Sequence, residues 1–257
     1  MTDPVSTGDV TPLTDRRRIA HTSDVALPPA IDGLLALLQF SDGLFPSGAF
    51  VHSLGLETYV QAGQVRDGAG LGVFLAAYLE GSAGPCDAAA AALAARAAAD
   101  GGLGAWKEID ARLDAMKCVP EFRAASRQMG RQTIRAAAAL GSDPMLDALE
   151  DAIETSGTPG HHAVIFGAVT GRAGVAPVVA AAAFLHGVTA QLANAALRLL
   201  PLGQIEGQRI LASMRPRIAA LAARAARAEL DDLWSFTPGI ERAGLVHAGL
   251  EARLFRS

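Results

Sequence analysis

Alanine limits what this chain can become more than any other residue. It fills much of an apolar fraction of 51%, while aromatic residues make up only 5%. Alanine has the best helix propensity, and its small side chain lets helices approach closely. The expectation is an all-α protein. At 257 residues the chain can bury a sizeable core as one domain or two small ones.

Charge and cysteine content remove several classes. A formal net charge of −4 gives no electrostatic reason to expect nucleic acid as a partner. Cys86 and Cys118 can form at most one bridge and supply neither a disulfide framework nor a four-thiolate zinc site, so a reducing cytoplasm is the simplest compartment. Arg16, Arg17 and Arg18 are followed by His21-Thr22-Ser23-Asp24, not by the apolar run a signal peptide needs. The most apolar stretch, Val175 to Leu185, is about half of the roughly 20 residues that span a bilayer, so it reads as a buried core helix and no membrane is expected.

Residues 1–29 are rich in Thr, Asp, Pro and Ser, end in Pro28-Pro29, and read as a flexible leader. Residues 30–233 read as one helical domain of about eight to ten helices, and 234–257 as an extended tail. Ile31 to Phe40 is a short apolar helix, followed by the turn formers Ser41-Asp42-Gly43 and Pro46-Ser47-Gly48 and a second helix from Ser53 to Gln61. Leu71, Phe74, Leu75, Tyr78 and Leu79 mark one buried helix face, which Gly81 to Pro85 should end. An alanine-rich helix (87–99) and one carrying Leu103, Trp106, Asp110, Leu113 and Met116 come next, with short turns between neighbours as in antiparallel hairpins. The span 161–170 fits helix or strand by periodicity, with helix favoured by its surroundings. The helix starting at Pro177 has few polar residues and reads as the central buried one; Pro216 should kink or split the last long helix.

A search for chemistry yields little. Neither lysine, Lys107 or Lys117, follows a glycine, so no phosphate-binding loop is present, and no dinucleotide fingerprint or Gly-x-Ser-x-Gly elbow is found. His161 and His162 point about 100° apart on a helix and make a poor metal pair. His186, within an apolar helix, reads as a satisfied core histidine. His52 and Glu57 could meet across the loop-to-helix junction as a polar or acid/base pair. Arg123, Arg127, Arg131 and Arg135 recur every fourth residue, which sets like charges beside one another; they form either a solvated row with acidic neighbours or a partner-facing one. No catalytic residue, cofactor or metal site is assigned.

Several strings resemble one family. Leu37 to Asp42, Phe45 to Phe50 and His52 to Glu57 form the most specific block, followed by Ser126-Arg127-Gln128-Met129-Gly130-Arg131, His161 to Gly167, and Leu200-Pro201-Leu202-Gly203-Gln204 with Gly207 to Leu211. Ser235 to Pro238 and Arg253 to Ser257 are similar to its usual ending. The chain is identified from these as resembling the urease accessory proteins of the F type, the UreF family. One departure is that His247 precedes Ala248 where the family usually has His-Glu.

The resemblance implies an all-α homodimer that is not an enzyme. It implies a complex with the D/H-type urease accessory protein that recruits the G-type accessory GTPase to apo-urease, regulates it, and assists nickel insertion. Candidate partner-binding residues are Ser47, Gly48, His52 and Glu57 in the first block, Arg123, Arg127 and Arg131 in the arginine row, Gln204 and Arg209 at the late helix, and Arg253, Phe255 and Arg256 in the tail, which would order on binding the D/H partner. Replacing Gly48 or Glu57 is expected to weaken assembly and leave the fold intact. Two other classes remain open: a helical enzyme using His52 and Glu57, and a regulator holding a small ligand among the alanine-rich helices.

Overall fold

A computed structural model describes residues 29–257, all but the last residue of the expected leader lying outside it. Among the described residues the chain is built from α-helices, short 3-10 turns and one π-helical stretch, without a strand. The helices are α1 (Pro29–Ser41), α2 (Leu56–Gln61), α3 (Gly68–Tyr78), α4 (Ala89–Ala99), α5 (Leu103–Met116) and α6 (Pro120–Ala138). They continue with α7 (Pro144–Thr155), α8 (His162–Arg172), α9 (Pro177–Leu199), α10 (Gln204–Ala225) and α11 (Pro238–His247). The span left open between helix and strand is helix, and it is buried from Ala163 to Gly171.

The centre of the molecule is the α4–α8 pair. A Cβ on Gly167 would overlap the Ala91 carbonyl, and one on Gly171 the Ala95 carbonyl. Glycines spaced four apart thus lie on alanines spaced four apart, and the two backbones touch almost directly. This explains how so few aromatic residues suffice: dense packing comes from close approach, not from large side chains. The expectation that α9 is the central helix is corrected. It packs on α10, α4 and α8 but keeps an outer side, with Val178 and Val179 exposed. His186 lies on that side, exposed, and is not a core histidine. By length and composition α9, at 23 residues, passes as a membrane span, although half of its apolar window is buried inside the fold.

Gly81 to Pro85 does not end a helix. The chain runs from α3 through a π-helical stretch, Leu79–Ala88, into α4, so no hairpin forms there. Proline has no N–H, and Pro85 therefore cannot bond the Gly81 carbonyl as an α-helix would require. The N–H of Phe236 donates to that carbonyl instead (2.7 Å), and the Trp234 N–H reaches the Pro85 carbonyl at 3.4 Å. A Cβ at Gly81 would stand 2.8 Å from Thr237 Cγ2, so glycine is what admits the visiting strand of backbone. Pro216 leaves α10 unsplit from Gln204 to Ala225.

Candidate functional site

The first block of the family resemblance and the end of the chain meet in space. After the 3-10 turn Ala49–Val51, Leu54 (φ 49°) and Gly55 (φ 86°) turn the backbone left-handed and launch α2. A buried leucine at positive φ is strained unless its surroundings hold it there. Here the Ser53 and Leu54 N–H groups both donate to the main-chain oxygen of Ser257 (2.6 and 3.0 Å), and the Ser53 hydroxyl adds a third bond to it. The Arg256 N–H donates to the Val51 carbonyl, and His52 Nδ1 meets the Ser257 hydroxyl at 2.9 Å.

Glu57, 1% exposed, is the hub. Its carboxylate accepts from the N–H groups of Leu254 (2.6 Å) and Phe255 (3.1 Å) and faces His247 Nε2 at 3.0 Å. The other nitrogen of His247 faces Glu121 (2.8 Å), which also receives Arg253 (3.3 Å). Both ring nitrogens thus point at carboxylates, so one imidazole ties Glu57 to Glu121. Phe255 is buried under the guanidinium of Arg198, 4.4 Å from its ring centre.

His52 and Glu57 do not pair; they bind different parts of the tail. Burial, then the nearby Arg256 guanidinium, lowers His52 to about 4, so its ring is neutral. The acid/base expectation fails because each side chain is spent on the chain's own backbone or tail. The tail lies against the chain's own helices: α11 packs on α2 and α6, and Phe255 is covered.

The arginine row divides. Arg127 forks onto Asp114, Arg123 donates to the Lys117 carbonyl, and Arg135 reaches Glu154. Arg131 is exposed, as are Gln204 and Arg209; Ser47 and Gly48 are half-buried. Gly48 (φ 76°) lies against Gln132, so the first loop is seated on α6. The structure gathers His52, Glu57, Arg253, Phe255 and Arg256 into one place and leaves Arg131, Gln204 and Arg209 apart.

Two further polar clusters lie inside. Asp110, fully buried on the apolar face of α5, caps the Gly160 and His161 N–H groups at the start of α8. Burial raises its pKa, while those two bonds oppose the rise. His161 is lowered to about 4, by burial first and then by the Lys117 charge, so its neutral ring donates to Asp114 (2.8 Å) and accepts from Ser126 (3.0 Å). Lys117 pairs with Asp87 (2.7 Å) beside Cys86, whose thiol burial pushes up to about 12. Among the described residues no set of three or more His, Cys, Asp or Glu side chains is arranged to hold a metal ion. Sequence reasoning gave no role to Glu121 or Arg198, which carry no local motif, and noted His247 only for the Ala248 that follows it. Asp110 did leave a signal, as a carboxylate on an otherwise apolar stripe.

A sequence model of the UreF family matches residues 65–215. The chain is 35% identical over 221 residues to a urease accessory protein UreF from Trichodesmium erythraeum (strain IMS101), covering 86% of this chain and 95% of the relative. The chain belongs to the UreF family. A UreF from Rhodopseudomonas palustris (strain BisA53) is 37% identical over 244 residues, 91% of this chain and 100% of the relative, and one from Arthrobacter sp. (strain FB24) is 34% identical over 223 residues, 87% and 96%. Each alignment is longer than 65–215, so likeness to these UreF proteins extends beyond the residues the family model matches.

Proposed function

We propose that this UreF-family protein is a non-catalytic assembly factor for urease. It joins the D/H-type accessory protein as a scaffold that recruits the G-type GTPase to apo-urease in the cytoplasm, regulates it, and assists nickel insertion; the scaffold is a homodimer. Membership in a family of urease accessory proteins supports the general role. The observation that carries the scaffold reading is a row of large apolar side chains that no other described residue covers. Ile31, Leu34, Leu35 and Leu38, at i, i+3, i+4 and i+7 of α1, are 45–58% exposed, and Leu44 and Leu140 are 93% and 56% exposed. Helical spacing puts the α1 residues on one face, and contiguous apolar surface of that kind marks protein–protein contact. Of the two other classes, the enzyme lacks its His52–Glu57 pair. The small-ligand regulator finds no room between α4 and α8, where the added carbon of a single Cβ already overlaps backbone.

Co-purification of the chain with the D/H-type and G-type proteins tests the proposal. The full-length chain should capture both. Leu34→Glu/Leu38→Glu should reduce capture without changing the helical circular dichroism. A version ending at Leu233 should lose D/H binding along with the clamp around Glu57. No capture by the full-length chain would overturn the reading.

A further inference from the structure

We propose that the groove between the end of α10 and the segment 228–234 docks an acidic stretch of a protein partner that carries a bulky apolar side chain. Its floor is apolar and small, formed by Gly84, Pro85, Ala89 and Leu221. Its rim holds Arg224, Arg227 and Trp234.

Trp234 is 52% exposed, whereas Trp106 is fully buried and donates to the Val164 carbonyl. Among the described residues nothing internal uses Arg224 and Arg227. Both are exposed, and among the described residues neither side chain makes an ion pair or a hydrogen bond. Glu80 receives Arg217 (2.6 Å) and Asp231 receives Arg112 (2.7 Å). Asp232, which also lines the groove, accepts the Glu229 N–H (2.9 Å) and keeps its charge, which leaves one carboxylate there against two guanidiniums. Cations often sit at helix C-termini to balance the dipole, but that role is filled here: Arg96 spans the Ala226 and Ala228 carbonyls at 3.2 and 2.8 Å. Two unpartnered guanidiniums therefore flank a tryptophan over a shallow apolar floor, in a chain whose net charge is −4. Arg and Trp beside a desolvatable pocket are the residue types that dominate binding energy at interfaces, and forked guanidiniums select carboxylates.

This inference rests on the assembly-factor reading and locates one contact within it. The test titrates the purified chain with purified G-type GTPase, D/H-type protein and urease apoprotein in turn, following affinity and Trp234 emission. Seating a partner in the groove should blue-shift the emission and protect it from acrylamide; Trp234→Phe should abolish that change, leaving only buried Trp106. Arg224→Gln/Arg227→Gln, which introduces no repulsive charge, should weaken binding of one of the three about tenfold or more at low salt. The Lys/Lys variant should recover part of the loss. Unchanged affinity for all three proteins overturns the groove and leaves the assembly role standing. Binding of none of them by the wild-type chain overturns both.

Discussion

His247 illustrates how much a single side chain can hold. Its imidazole joins Glu57 on α2 to Glu121 on α6, and Glu57 in turn holds the backbone of residues 254 and 255. Removing the ring leaves a carboxylate 1% exposed without its side-chain partner, and breaking a buried pair from one side costs about 3–5 kcal/mol. We expect His247→Ala to lower unfolding free energy by about 3 kcal/mol and to speed tryptic cleavage after Arg253. An unchanged denaturation midpoint with unchanged cleavage would show that the clamp is ornamental. By the same geometry, Glu57 replacements act first on the chain's own tail, contrary to the expectation of an intact fold.

At the scale of elements, glycine positions divide by what surrounds them. Gly171→Ala must push α8 away from the Ala95 carbonyl, an overpacking worth about 1–3 kcal/mol of destabilisation. Gly187→Ala on α9 meets nothing within 4 Å and should stabilise by up to about 1 kcal/mol through helix propensity. Thermal unfolding of the two variants side by side checks both signs; equal shifts would contradict the close α4–α8 contact. Several helices were legible from apolar periodicity, and Pro177 marked the first turn of α9, but the first-turn prolines Pro144 and Pro238 went unread, so α7 and the helix α11 within the expected extended tail were missed. Pro85 misled because its local rule is a helix stop, whereas here the backbone widens to a π-helix and the distant Phe236 N–H adds a bond to the Gly81 carbonyl. His186 misled because an alanine-rich helix is apolar on its outer side as well, which erases the contrast that would locate its buried face.

Across the whole molecule, three histidines share one behaviour. His52, His161 and His162 are each lowered to about 4, chiefly by burial, from an ordinary value of 6.5. The unfolded chain therefore takes up protons at higher pH than the folded one. Stability contributed by the neutral rings is complete above about pH 6.5, falls as pH drops toward 4, and levels off below. Each ring contributes a slope of at most about 1.4 kcal/mol per pH unit inside that window. Denaturant titrations at pH 7, 6 and 5 should show a steady decline; a flat profile would mean that these rings are not neutral in the fold. At this scale the family was legible in ordered strings of residues, but the meeting of the first string with the last was not. Val51, Ser53 and Leu54 reach Arg256 and Ser257 through backbone atoms, which no side-chain pattern advertises.

The Gly81 carbonyl also has a history during synthesis. It emerges from the ribosome inside a stretch whose proline cannot supply the α-helical donor, and the bond from the Phe236 N–H waits until that residue is made. At ordinary elongation rates that interval is on the order of ten seconds, long compared with helix formation. Until then the joint between α3 and α4 lacks the two bonds that Phe236 and Trp234 bring to it from outside the π-helical stretch. The last stage of translation supplies them, so a joint between two earlier helices is completed by a later segment.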